Sequence, residues 1–313
     1  MLNDRQKEFV AVEKMVFRDL LKWRWERFNN KKDLSFSVPR VAEVKYDFLL
    51  KNRQVNSISW NGHATFFLQV NGLNIVTDPV WAKRMGGERR LSDPGLSIDK
   101  LPEIDIVLIS HSHYDHLHFR SIQQLKGNPI YLVPKGLKKK FEKKGLLPVK
   151  ELDWWESYEH EGVILTFLPS LHWTRRTLLD TNKSLWGGWM MESVETTIYF
   201  VGDTGYHPIF KEIGTKYNVD YVLMPIGAYE PEWFMRNQHV TPEEAIDIFI
   251  DLQAKVFIPM HYDAFRLADD TPREALNRLQ AYMDECKLDH RTCNILKLGE
   301  TIILTKKDDK LEP

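Results

Sequence analysis

Cysteine is nearly absent from the chain: Cys286 and Cys293 are the two in 313 residues. They stand apart from every metal-type cluster, and a disulfide framework would need more. A reducing, cytoplasmic setting is therefore expected, with any membrane contact peripheral. Long apolar runs are missing too, since none approaches the ~20 residues that span a bilayer. Net charge is lacking: 43 basic residues face 44 acidic ones. That balance removes any global case for nucleic-acid binding. The opening Met1-Leu2-Asn3-Asp4-Arg5 leads into a charged segment, which argues against a secretory signal. No internal repeat or low-complexity stretch is visible.

What the chain does have is core material. Hydrophobic residues make up 43% and aromatics 12%, with ten tryptophans. Residues 1 to about 30 read as a helix, with Phe9, Val16, Phe17, Leu20, Leu21 and Phe28 at three- to four-residue steps and Arg18, Lys22 and Arg27 between them. Such a helix either packs on the main domain or lies on an anionic membrane. From residue 55 the pattern turns to short strands. Ser57–Trp60 precedes an Asn61-Gly62 turn, and Asn71-Gly72 separates Thr65–Val70 from Leu73–Thr77, a strong hairpin signal. Further strands are expected at Ile104–Ser110, Ile130–Val133, Val163–Leu168, Thr197–Val201, Tyr221–Pro225, Val256–Pro259, Ile295–Leu298 and Thr301–Leu304. Gly136–Lys144 reads as helical. Thr241-Pro242-Glu243-Glu244 opens a helix, with Thr as N-cap and Pro at N1. Hairpins followed by strands alternating with helices predict a layered α/β architecture. Lys138, Lys139, Lys140, Lys143 and Lys144 form either a solvated helix face or a surface for anionic headgroups.

His111, His113, Asp115 and His116 fall within six positions, directly after the apolar strand Ile104–Ser110. A loop at a strand tip can turn successive imidazoles and a carboxylate toward one point. Neutral imidazole and carboxylate suit zinc, and also manganese or iron. Four ligands cannot fill two metal shells, so others are expected at strand ends. His172 follows Leu168-Pro169-Ser170, Asp203 follows Thr197–Val201, and His261 follows Val256–Pro259.

With these residues in place the sequence resembles the metallo-β-lactamase superfamily, whose pattern is His-x-His-x-Asp-His followed by His, Asp and His. Within it, the chain looks like the N-acylphosphatidylethanolamine phospholipase D-like group. Supporting stretches include Gly62-His63-Ala64-Thr65, Thr77-Asp78-Pro79, Ser184–Gly188, Tyr199–Tyr206 and Pro225–Trp233. The resemblance covers about residues 55 to 265. It implies a four-layer αβ/βα sandwich of two mixed β-sheets, spanning residues 51–313, with residues 1–50 as a helical extension packed on it. It also implies two divalent cations, Zn2+ first and Mn2+ or Fe2+ otherwise. His111, His113 and His172 would hold one, Asp115, His116 and His261 the other, with Asp203 bridging.

The resemblance assigns Asp78 to orienting a metal-bound imidazole, whose second N–H commonly meets such a carboxylate. His63 is either a similar support or a buried hydrogen-bonded histidine. His239, just before the Thr241 cap, faces substrate in the resembling group and would bind a phosphoryl oxygen or protonate a leaving group. Tyr114 would touch substrate. Trp173, Trp186, Trp189, Trp233, Phe234 and Met235 are expected as core or as an apolar groove for a hydrocarbon tail.

The implied activity is a phosphodiesterase of phospholipase D type, in which a metal-bound hydroxide cleaves N-acylphosphatidylethanolamine-like phospholipids and Asp115 aims the attacking water. The alternatives are a lactonase acting on a small sugar-like ester and a non-catalytic metal-binding protein. Two features depart from the group's pattern. Trp81–Pro94 lacks a Pro-rich run, its Met85-Gly86-Gly87 reading as a flexible flap, and no long N-terminal extension precedes the matching region.

Overall fold

The computed structural model describes residues 2–11 and 17–305. Val16 lies outside the described residues, as do the side chains of Phe17 and Leu20. The strands are β1 (Ser57–Gly62), β2 (Thr65–Val70), β3 (Leu73–Thr77), β4 (Arg84–Met85), β5 (Glu88–Arg89), β6 (Ile106–Leu108), β7 (Ile130–Pro134), β8 (Val149–Leu152), β9 (Ser157–His160), β10 (Val163–Leu168), β11 (Gly188–Glu192), β12 (Thr197–Phe200), β13 (Tyr221–Pro225), β14 (Val256–Met260) and β15 (Thr301–Ile303). The helices are α1 (Asp4–Lys7), α2 (Phe17–Asn29), α3 (Tyr46–Lys51), α4 (Phe119–Ile122), α5 (Lys138–Glu142), α6 (Ile209–Lys216), α7 (Glu232–Met235), α8 (Pro242–Asp251) and α9 (Pro272–Glu285).

Among the described residues one sheet runs β15-β1-β2-β3-β6-β7-β8 and the other β14-β13-β12-β11-β10-β9. Both are mixed. In the first, β3, β6, β7 and β8 are parallel neighbours. In the second, β12, β13 and β14 are parallel, and β10 points the same way because two antiparallel steps separate it from β12.

Alternation along the strands builds the layers, because successive side chains face opposite sides of a sheet. Phe66, Leu68, Ile106 and Leu108 face the second sheet's Leu165, Phe167, Phe200 and Leu223 in one buried core. Their neighbours Phe67, Val107 and Ile109 face the other way and pack with Leu49, Ile122 and Phe141 of α3, α4 and α5. Ala245 and Ile246 of α8 and Leu279 of α9 cover the far side of the second sheet. The result is the expected αβ/βα sandwich.

Several local expectations change. Residues 1 to 30 do not form one helix. α1 ends at Lys7, and Val10 then pairs with His172 as an isolated bridge. The Asn61-Gly62 turn is displaced: Gly62 pairs with Thr65, so the turn falls on His63-Ala64, with an irregularity in register between Trp60 and Gly62. Ile295–Leu298 makes no strand; only Leu298 bridges, to Arg40. The stretch with Gly86-Gly87 folds as the β4–β5 ribbon, and Arg27 of α2 reaches Glu88 at 3.1 Å.

Candidate metal centre

Strand direction collects the site. β3, β6, β10, β12 and β14 end at the same edge of the sandwich, and the next few residues are Asp78, His111–His116, His172, Asp203 and His261. His63 arrives from the β1–β2 turn and His239 from the loop before Thr241, which caps α8 in a capping box with Glu244. The backbone is forced at several of these points, with φ of 54° at His63, 32° at Asp78 and 65° at His261. Conformations of this kind persist only where surroundings impose them. At His63 the imposing group is Asp263, whose carboxylate accepts the His63 N–H at 2.6 Å.

Two groups form. In the first, His113 Nδ1 lies 2.9 Å from His111 Nε2 and 3.3 Å from His172 Nε2. In the second, His116 Nε2 lies 3.1 Å from His261 Nε2 and 3.3 Å from Asp115 Oδ2. Asp203 sits between them: its Oδ2 is 3.1 Å from His116 Nε2 and 3.7 and 3.8 Å from those of His111 and His172, while Oδ1 is 3.3 Å from His261 Nε2. All seven side chains are buried except that of His113, which is half-buried.

Whether these groups suit cations follows from where their protons go. Ser110 Oγ donates to Asp78 Oδ2 at 2.5 Å, so it accepts from His111 Nδ1 at 2.9 Å. His172 Nδ1 donates to the Gln238 carbonyl at 2.9 Å, and His116 Nδ1 donates to Asp78 Oδ2 at 2.7 Å. The Nε2 atoms of all three are then bare lone pairs in the neutral ring. A proton on His113 Nδ1 can serve only one of its two neighbours. His116 Nε2 aims its lone pair at two carboxylates. Lone pairs and anions converging in a dry pocket require positive charge, and this donor set fits divalent cations.

The electrostatics agree. Burial holds His111 and His172 well below the usual imidazole range and His113 down at about 4. Burial disfavours charge on His116 as well, but Asp203 and Asp115 overcome it and raise its pKa. Burial would likewise raise Asp115 and Asp203, yet the imidazoles around them, His116 foremost, hold both well below the carboxylate range. Burial lifts Asp78 despite its bonds to His116 and Ser110.

His63 Nε2 donates to Asp115 Oδ2 at 2.9 Å, so it supports the second group. Its other ring nitrogen is buried without a partner. His239 lies at the edge of the pocket with Nδ1 3.9 Å from Asp203 Oδ2, and burial keeps it neutral at about 4. Trp173 meets the His113 ring at 4.9 Å, nearly edge-on, and donates to Gln238 Oε1. Tyr114 is half exposed, with its hydroxyl on the Arg176 carbonyl at 2.9 Å. Of the aromatic residues expected as core or as a groove, two are settled as core. Trp186 and Trp189 are fully buried core, their indole N–H groups satisfied by the carbonyls of Ser170 and Ile109. Trp233 makes its contacts with Phe234 and with Lys22 and Glu26 of α2.

Sequence reasoning missed Arg176 and Asp263. Arg176 Nη1 donates to the carbonyls of Ser112, His113 and Leu117 at 2.7, 3.3 and 2.8 Å, and its guanidinium lies 4.0 Å over the Tyr114 ring. It thereby fixes the ligand loop from the segment that supplies His172. Asp263 accepts from Ser92 Oγ at 2.9 Å while holding His63. Contacts to backbone carbonyls and amides leave no motif in a sequence.

Residues 73–262 match the family model for the beta-lactamase superfamily domain. The chain is 36% identical over 252 residues to N-acyl-phosphatidylethanolamine-hydrolyzing phospholipase D 1 of Caenorhabditis elegans, covering 73% of this chain and 71% of that one. It is 34% identical over 248 residues to the mitochondrial enzyme of the same description from Saccharomyces cerevisiae, of which it spans 53%. The metallo hydrolase Igni18 of Ignicoccus hospitalis shares the fold at a TM-score of 0.62 and 19% identity, over 80% of this chain and 99% of its own. The chain belongs to the metallo-β-lactamase superfamily as a metal-dependent hydrolase, and its relatives include N-acyl-phosphatidylethanolamine-hydrolyzing phospholipases D.

Proposed function

We propose that the protein is a dinuclear phosphodiesterase of phospholipase D type, acting on N-acylphosphatidylethanolamine-like phospholipids. One observation carries the chemistry: a single carboxylate, Asp203, lies between an imidazole triad and an Asp/His/His group. The substrate class is supported by the two curated relatives that carry this activity in their names. His111, His113 and His172 would hold one cation, Asp115, His116 and His261 the second, and Asp203 both. Zinc suits this nitrogen-rich set best, with manganese or iron as substitutes. Residues 51–313 would form the hydrolase domain, with residues 1–50 an extension on it.

Bound cations would acidify a water and neutralise phosphoryl oxygens. The chain's own groups do the rest. Asp115, held by His63 at 2.9 Å, directs the water at phosphorus. His239 is neutral near pH 7, with its pKa at about 4, so it donates an N–H hydrogen bond to a phosphoryl oxygen rather than delivering a full proton. Water then adds across the bond from phosphorus to the head-group oxygen, giving phosphatidic acid and an N-acylethanolamine.

Purified protein with two equivalents of zinc, offered N-acylphosphatidylethanolamine, other phosphodiesters and lactones, should turn over the first class fastest. Lactone turnover without phosphodiester turnover would replace this reading with the lactonase one.

A further inference from the structure

The outer face of α2 is apolar where a water-facing helix should be polar. Leu21, Trp25 and Phe28 are 52%, 69% and 83% exposed, and their steps of four and three residues put them on one stripe. The inner face fixes this orientation. Trp23 donates to Asp269 at 2.7 Å and stacks on Phe234 at 5.6 Å, and Arg27 reaches Glu88 and the Arg266 carbonyl at 3.1 and 3.2 Å. Arg18 and Arg24 are exposed on either flank of the stripe. Asp19 and Glu26, seven residues apart, share a stripe turned away from it, and Glu26 is taken up by Trp233 and Lys22.

A second protrusion has the same character. Leu178 and Leu179 are 88% and 81% exposed at the tip of a braced turn. Asp180 accepts the backbone N–H groups of Arg176 and Thr177 at 2.9 and 2.7 Å and binds Lys140 of α5 at 2.8 Å. The leucines are thus held outward, beside the exposed Lys138 and Lys139 of the same α5 and Lys143 just after it. Both protrusions grow from parts that build the metal pocket. The turn follows His172 and Trp173. α2 rests on Phe234, in the segment leading to His239, and on Asp269, beyond His261.

We infer that α2 and the Leu178-Leu179 turn dock the protein on an anionic phospholipid bilayer and bring the pocket to the lipid surface. The inference rests on the phospholipid reading above and adds the contact surface. Apolar and indole side chains enter the interface, while the flanking arginines and lysines meet anionic headgroups. Among the described residues no helix is long and apolar enough to cross a membrane, so this contact lies in the interface.

The test is co-sedimentation of the full chain with phosphatidylcholine vesicles, with and without phosphatidylglycerol. Wild type should prefer the anionic vesicles. W25S/F28S and L178S/L179S should each weaken that binding at least about tenfold, and R18Q/R24Q about fivefold per charge removed. Each variant should retain wild-type melting and wild-type turnover of bis(p-nitrophenyl) phosphate, a soluble phosphodiester. Unchanged sedimentation of both apolar variants would overturn the inference, as would a wild type that ignores anionic vesicles. So would light scattering that shows W25S/F28S dissolving a dimer while vesicle binding is unaffected. Vesicle binding lost in the variants, with no phosphodiester turnover in any protein, would uphold docking and refute the phosphodiesterase.

Discussion

The two halves of the metal centre are built from different chemistry. The first is three imidazoles, and the atoms that orient them are neutral: the Ser110 hydroxyl and the Gln238 carbonyl. The second pairs two imidazoles with Asp115, and behind His116 stands a second carboxylate, Asp78, fully buried at 2.7 Å. The first half offers lone pairs with almost no proton competition, since burial has already stripped its histidines. The second offers charge, which attracts a dication strongly but also attracts a proton to His116. The halves should therefore differ in how affinity responds to charge and to acid, with Asp203 as their shared member.

The largest effect should come from removing that shared member. Asp203→Ala is expected to lose both cations and to lower turnover by more than the ~100-fold typical of removing an outer partner. Metal stoichiometry by elemental analysis alongside kinetics checks this, and retention of one tight equivalent would show that the halves are independent. Next, His172→Ala and His261→Ala should each lose close to one equivalent, from opposite halves. Loss of both ions in either variant would break the comparison. Asp78→Asn keeps the shape and tolerates the left-handed φ of 32°. It should weaken one of the two sites about 10–100-fold in metal titrations and leave the other near wild type.

A smaller effect concerns metal-free protein. His113 and His239 have folded pKa values of about 4, below the ~6.5 of an unfolded histidine. Between those values the unfolded chain binds more protons, so stability is complete above pH 6.5 and falls as pH drops toward 4. Each group contributes up to ~1.4 kcal/mol per pH unit across that window. Denaturant melts of chelator-treated protein should show this decline, and His239→Gln should make it shallower. The smallest change is Arg176→Lys. It loses some of three carbonyl contacts, ~1 kcal/mol of stability, and should lower the melting temperature by a few degrees with both cations retained.

Much of this centre could be read before any coordinates, for a physical reason. Ligand residues at strand tips announce both their chemistry and their place, because apolar strands such as Ile106–Leu108 are visible and the loop begins where they stop. The sandwich was legible through the same strands. Two edge strands were not: β8 and β9 alternate exposed and buried residues weakly, and neither carries an apolar run. α9 was overlooked although Thr271-Pro272-Arg273-Glu274 repeats the capping signature of α8. The tryptophans stayed open between core and groove because an indole buried in the core and one lining a groove look identical in sequence. Only the carbonyls that satisfy Trp186 and Trp189 tell them apart.

The meeting of His116 with His261 spans 145 residues of chain. A cation held between them would be a staple joining the two sheets, closing a long loop of the chain. A covalent link across such a loop is worth roughly 4–5 kcal/mol on chain-entropy grounds. The last member of the set is also the last to leave the ribosome. The nascent chain carries the complete His111–His116 stretch long before it could hold a second cation in place, which would make metal loading a finishing step that locks the sandwich shut.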